Sequence, residues 1–172
     1  MFLTHILEIF HLDDYAVHQH LARIYPTGAS VLYYRKSDGS AVVRSNMPPM
    51  TVGGDVTETS SSIYADGKPH MFRVRVNAAY REIGSAKKRS IPDDKLSEWV
   101  KSRLEWSGIS VEHMMIVPEG MHTSMRKDVR TFHNSVEVTF VGTVVDAGAF
   151  AHAYANGIGQ GKAFGFGMLM SA

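Results

Sequence analysis

Residues 157–167 read G-I-G-Q-G-K-A-F-G-F-G, and the reading of this stretch decides the fold. Five glycines frame one cation, Lys162, and the apolar run Met168-Leu169-Met170 follows. Glycine admits positive φ and close backbone approach without steric penalty. The N–H groups of such a loop can lie against a phosphate. The G-x-G-x-x-G fingerprint of a dinucleotide site needs a strand before it and a helix after it. Here the order is reversed. A helical stretch, 147–156, ends at Gly157, which suits a helix C-terminus, and a strand over 163–170 follows. A nucleotide cofactor is disfavoured. A phosphate-contacting loop and a tight turn into a crowded edge strand both stay open.

Outward from this loop, the second half reads as alternating strands and helices. Ser135 to Val145 is a strong strand. Ile109 to Val117 is another, closed by Pro118, and 119–132 is a polar hairpin tip holding Arg126, Lys127 and Arg130. Pro92-Asp93-Asp94 starts a helix; Leu96, Trp99, Val100, Arg103 and Leu104 recur at helical spacing, and Gly108 stops it. Residues 81–91 are a basic loop around Lys87, Lys88 and Arg89. His70 to Asn77 alternates, with Phe72, Val74 and Val76 on one face and Arg73, Arg75 and Asn77 on the other. Two arginines on an open strand face can hold phosphates or form an ordinary solvent face. The order is β-α-β-β-α-β, the ferredoxin-like pattern. That pattern decides no function alone. The RNA-recognition motif shares the topology, but its stacking-aromatic consensus is absent.

The first half begins the same way. Phe2 to Phe10 reads as a strand and Asp13-Asp14 as a helix start. Val17, Leu21 and Ile24 give helical spacing over 14–25, ended by Tyr25-Pro26. Residues 30–35 and 41–45 form a hairpin around Ser37-Asp38-Gly39. Residues 46–67, rich in proline, glycine and serine, read as loop. The expectation is an α+β chain of tandem ferredoxin-like domains, the first with a shortened second half. On the first helix, Tyr15 and His18 are i and i+3 and lie side by side. His18 and His20 do not face each other, which counts against a metal pair. A lone helical histidine is more often structural or exposed than catalytic, although its pKa suits acid–base work.

Composition bounds the rest. The chain has 172 residues, 44% hydrophobic and 20% charged, which fits an ordinary globular protein. It has no cysteine, which excludes disulfides and thiolate metal sites and suits a reducing, cytoplasmic setting. No stretch is long enough for a membrane span, and the N-terminus lacks the features of a secretory signal. Net charge is only +1, but charge is unevenly spread. Residues 1–67 carry seven acids against four bases, whereas Lys68 to Arg103 holds ten bases opposed by Glu82, Asp93, Asp94 and Glu98. Such a block is either a polyanion footprint or a solvated face.

Three stretches together resemble one family, the CRISPR repeat-processing endoribonucleases of type I-E (Cascade) systems, the CasE family. Met1-Phe2-Leu3-Thr4 with Tyr15-Ala16-Val17-His18-Gln19-His20-Leu21 resembles its opening strand and Y-x-x-H-Q-x-L helix. Phe72-Arg73-Val74-Arg75-Val76-Asn77 resembles its F-R-L-R-A-N strand, and 157–169 resembles its terminal glycine-rich loop. Departures are the short 46–67 segment, Ala78 where proline is usual and Ala22 where tryptophan is common. The resemblance implies domains 1–67 and 68–172, and binding of the CRISPR repeat RNA hairpin. It implies metal-independent cleavage to a 2′,3′-cyclic phosphate, and retention beside other Cascade subunits.

By motif position, His18 is the catalytic histidine and Tyr15 its partner. Arg73, Arg75, Lys87, Lys88, Arg89, Arg126, Lys127, Arg130, Gly157, Gly159, Gly161 and Lys162 are the candidate RNA contacts. No cofactor, metal, membrane or DNA contact is expected. The alternatives are a non-cleaving relative that grips the same hairpin, and an unrelated ferredoxin-like module for a small ligand.

Overall fold

The computed structural model describes residues 1–6, 9, 11–51, 55–82, 84, 88–126 and 129–172, with the side chains of 124–126 and 129 left aside. It holds two four-stranded antiparallel sheets. In the first half, β1 (Phe2–Ile6) leads to α1 (Asp14–Ile24), and β2 (Val31–Arg35) and β3 (Ala41–Ser45) form the hairpin. A fourth strand, β4 (Val56–Glu58), precedes a 3-10 turn over Ser61–Tyr64. The sheet order is β2-β3-β1-β4.

In the second half, β5 (Pro69–Asn77) is followed by a small ribbon, β6 (Ala79–Arg81) with β7 (Lys88–Ser90). Then come α2 (Asp93–Trp106), the long hairpin β8 (Ile109–Arg126) and β9 (Val129–Val144), α3 (Ala147–Asn156), and β10 (Met170–Ser171). The order β10-β5-β9-β8 repeats that of the first sheet. The chain is therefore α+β with tandem ferredoxin-like sheets.

Local chemistry explains the elements. Asp13 caps α1 by accepting from the Ala16 N–H at 2.7 Å. Val17 and Leu21 bury one stripe, and the extended Tyr25 before Pro26 ends the helix. Asp146 caps α3 by accepting from the N–H groups of Gly148 and Ala149, both at 2.9 Å. Between sheet two and its helices lie Phe72, Phe140 and Phe150, fully buried. Each contributes about 1.5–3 kcal/mol of transfer free energy.

The halves are joined through one face of sheet one. Leu32, Tyr34 and Val42 pack on Met168. Arg44, buried, donates from Nη1 to the Tyr154 carbonyl at 3.0 Å and from Nη2 to the Leu169 carbonyl at 2.6 Å. Its guanidinium carbon lies 3.5 Å from the centre of the Tyr154 ring.

Four expectations need correction. The opening strand is Phe2–Ile6 rather than reaching residue 10. The 46–67 segment is not all loop, because β4 adds to the open edge of β1. The strand begun at Ile109 does not close at Pro118. Residue 118 sits on the edge strand, where a missing N–H is tolerated, and the register shifts between Pro118 and Gly120 as the hairpin continues. The strand expected over 163–170 is a 3-10 turn, Lys162–Phe164, followed by the two-residue β10. Positive φ at Gly165 and Gly167, 80° and 84°, bars extension through them.

Candidate nucleic-acid interface

Helix α1 buries Val17 and Leu21 and so turns His18 to solvent, with Tyr15 half-buried beside it. Neither side chain makes a hydrogen bond among the described residues, which leaves both free to meet a ligand. The 3-10 turn that begins at Lys162 packs against this helix. Tyr33 holds the two together. Its hydroxyl lies 3.1 Å from the Asp14 carbonyl oxygen and 3.3 Å from that of Ala163, with one proton to donate. Burial, and secondarily the Asp14 carboxylate, push that hydroxyl far above the ordinary tyrosine pKa, so it stays protonated. A Cβ on Gly165 would stand 2.9 Å from the Tyr33 ring, so only glycine lets the loop close on it. Lys162 is partly exposed and makes no ion pair among the described residues. Helix and turn are thus joined, and Lys162 is the first residue of that turn.

Behind the turn is a histidine that sequence reading missed. His133 is buried between the rings of Phe164 and Phe166, with centroids at 4.5 and 5.3 Å. The Asn77 amide is 3.2 Å from its Nδ1. Burial, helped by nearby Lys88, lowers its pKa and keeps the ring neutral.

The cleft between the sheets, about 720 Å³, is lined by Arg35, Arg73, Arg75, Glu119 and Glu137 among others. Arg75 donates to the Glu119 carboxylate at 2.7 and 2.9 Å and to the Arg35 carbonyl at 3.1 Å, and lies over the Tyr34 ring. Tyr34 donates to Glu137, and Ser135 donates to Glu119. Asp14, paired with Arg35 at 3.5 Å, has its pKa raised by burial, which the Arg35 charge only partly offsets. Glu119, His122 and Tyr33 carry no local sequence signal, because their partners come from distant strands.

The expected contacts fall into groups. Gly157, Gly159, Gly161 and Lys162 share the loop beside α1. Arg73 is exposed, with Glu137 at 3.7 Å, whereas Arg75 is engaged internally. Lys88 and Arg89 are exposed on β7, Arg89 facing Glu82 at 3.2 Å, and Arg130 is exposed on β9. Lys87 and Lys127 lie outside the described residues, as does the side chain of Arg126. Among the described residues no three His, Asp or Glu side chains gather to hold a metal, and no helix is long and apolar enough to cross a membrane.

A family model described as CRISPR associated protein matches residues 10–172. No curated protein matches the sequence. Among solved structures, the fold is similar to CRISPR endoribonuclease Cse3 bound to a 19-nucleotide RNA, at 19% identity, TM-score 0.81 and full coverage of both chains. It is similar to the CRISPR-associated protein Cas6e from Escherichia coli K-12, at 21% identity and TM-score 0.77, over 100% of this chain and 99% of that one. A chain of a CRISPR RNA-guided surveillance complex, pre-nicking, matches at 17% identity and TM-score 0.79, again over 100% and 99%.

Proposed function

The chain belongs to the CRISPR associated protein family, and from that premise we propose that it is a CasE-type endoribonuclease that cuts the repeat hairpin of a type I-E transcript. The observation that carries this reading is the packing of the Lys162 turn on the helix that bears exposed His18 and adjacent Tyr15, in a fold that matches an RNA-bound endoribonuclease end to end. The domains are 1–67 and 68–172, and the enzyme works in the cytoplasm with its RNA.

The chemistry uses the chain's own groups. The ribose 2′-OH loses a proton and its oxygen attacks the adjacent phosphorus in line. The bond to the 5′-oxygen breaks, and that oxygen takes up a proton. The products are a 2′,3′-cyclic phosphate and a 5′-hydroxyl. His18 serves as general base or acid. Tyr15, i−3 on the same helix face, orients the 2′-OH. Lys162 offsets the charge that builds on the phosphorane. Lys88, Arg89 and Arg130 take phosphates along the stem, which is read by shape and backbone. The enzyme stays on its product as a subunit of the effector complex, a role supported by the likeness to a surveillance-complex chain.

The test is cleavage of a labelled repeat hairpin in EDTA by wild type and His18→Ala, beside a substrate lacking the 2′-OH at the scissile site. Wild type is expected to cut, and each change to slow cutting by at least about a hundredfold. Tight binding without cutting would favour a non-cleaving hairpin binder. Cutting that survives both changes would overturn the assignment of His18.

A further inference from the structure

Helix α2 carries a second chemistry that the cleavage site does not use. Leu96, Val100 and Leu104 bury its inner stripe. Trp99, Arg103 and Trp106, at i, i+4 and i+7, follow one flank. The Arg103 guanidinium lies 5.4 Å from the Trp99 ring centre and 5.3 Å from that of Trp106. Trp106 is 74% exposed, so core packing does not explain it.

Trp99 is the shared wall of two grooves. One, about 520 Å³, runs toward Tyr80 and Lys95; the other, about 220 Å³, runs toward Gly159 and Gln160. The glycine-rich loop therefore packs on α1 through its Lys162 turn and faces this flank of α2 across the smaller groove through Gly159. A Cβ at Gly159 would meet nothing within 4 Å, so the backbone there lies open. Across the β6–β7 ribbon, Tyr80 stands opposite Arg89 and Arg81 opposite Lys88. Lys95 and Arg103 line the grooves with one acid, Glu98.

Flat aromatic faces interleaved with cations beside open backbone suit an unstacked base with its phosphate. The larger groove sets Tyr80, Ile91, Pro92 and Trp99 beside Lys95, Glu98 and Ser102, and the smaller sets Trp99 beside Asn77, Arg103 and Gln160, so in both an aromatic face lies next to a cation. We propose that the Trp99–Arg103–Trp106 flank binds unpaired nucleotides next to the hairpin, with a base stacked on tryptophan and its phosphate held by Arg103 or Lys95. The RNA strand passes from α1 across Gly159 onto α2. This inference rests on the RNA reading above.

Trp99 and Trp106 are the chain's two tryptophans, so intrinsic fluorescence reports on this flank directly. The experiment titrates the full chain with two repeat-type hairpins, 2′-deoxy at the stem base to prevent cutting. One is blunt, and the other carries three unpaired nucleotides on each side. The extended hairpin is expected to quench tryptophan emission well beyond the blunt one. Trp106→Ala and Arg103→Gln should each weaken the extended hairpin by about tenfold and leave the blunt one unchanged. Trp99→Tyr, which keeps a stacking face and the packing below it, should retain most of the affinity. Equal quenching by both hairpins, or variants that bind the extended hairpin like wild type, would overturn the proposal while leaving hairpin recognition standing. Binding of neither hairpin would remove the RNA reading and this inference with it.

Discussion

Sheet one is built from strands of three to five residues under one helix, whereas sheet two pairs strands of 16 and 18 residues beneath two helices. Both use the same strand order, yet only the second surrounds a large aromatic core. The first half buries a small cluster under α1, and its other face is covered by Met168 and Met170 from the far end of the chain. The difference teaches where rigidity comes from. The helix carrying His18 and Tyr15 belongs to the lighter half, and the heavier half supplies the contacts that hold it.

The sharpest way to break this comparison is at Arg44. Its two buried hydrogen bonds to carbonyls of the second half are of the stronger, charge-assisted kind. Arg44→Ala leaves both carbonyls without their donor, and the expected loss is about 3 kcal/mol of stability. Thermal unfolding followed at once by far-UV circular dichroism and by tryptophan emission checks it. Both tryptophans lie in the second half, so the variant should lose part of its dichroism before its emission moves. Coincident transitions at the wild-type temperature would mean that the first half stands alone.

A smaller effect is expected at Gly165→Ala. Its φ of 80° and the 2.9 Å approach to the Tyr33 ring together disfavour any side chain, by about 2 kcal/mol. Chemical denaturation should show that loss, and cleavage should fall further than stability does because the Lys162 turn is pushed from α1. Equal, unchanged rates would show that the turn's contact with the helix is incidental.

The smallest effect is a pH dependence at His133. Its folded pKa is depressed, mainly by burial, so its contribution to stability is present above the unfolded value near 6.5 and is lost as pH falls through the folded one. The slope cannot exceed the ~1.4 kcal/mol per pH unit of a single proton. Stability of wild type against His133→Phe, measured between pH 7 and 5, should converge as the pH drops. Parallel curves would dissociate the acid response from this ring.

Much of the layout was legible in the residues. Asp13 before Val17 and Leu21 marked α1, and the alternation of Phe72, Val74 and Val76 marked the centre of sheet two, because capping and periodicity are local. The three-residue β4 was not legible, since Val56-Thr57-Glu58 carries no alternation and gains its place only by pairing with β1. The outward side of Arg75 was read correctly, but its partner was not. Glu119 lies 44 residues away and meets it only once β8 has been laid beside β9. At the site, Tyr15 and His18 stood out by spacing and by resemblance, whereas Tyr33 and His133 earn their places through contacts with a loop more than 25 residues distant.

The Tyr33 hydroxyl has two acceptors within reach and a single proton. A latch with two keepers and one bolt can open on either side without leaving the bolt bare. If the loop withdraws Ala163, the proton swings wholly to Asp14, and the ~1–3 kcal/mol penalty of stranding a buried donor never arises. At this hydroxyl, parting the loop from the helix therefore strands no buried donor, and what keeps the two together is the packing of the turn on α1 and of Gly165 against the Tyr33 ring.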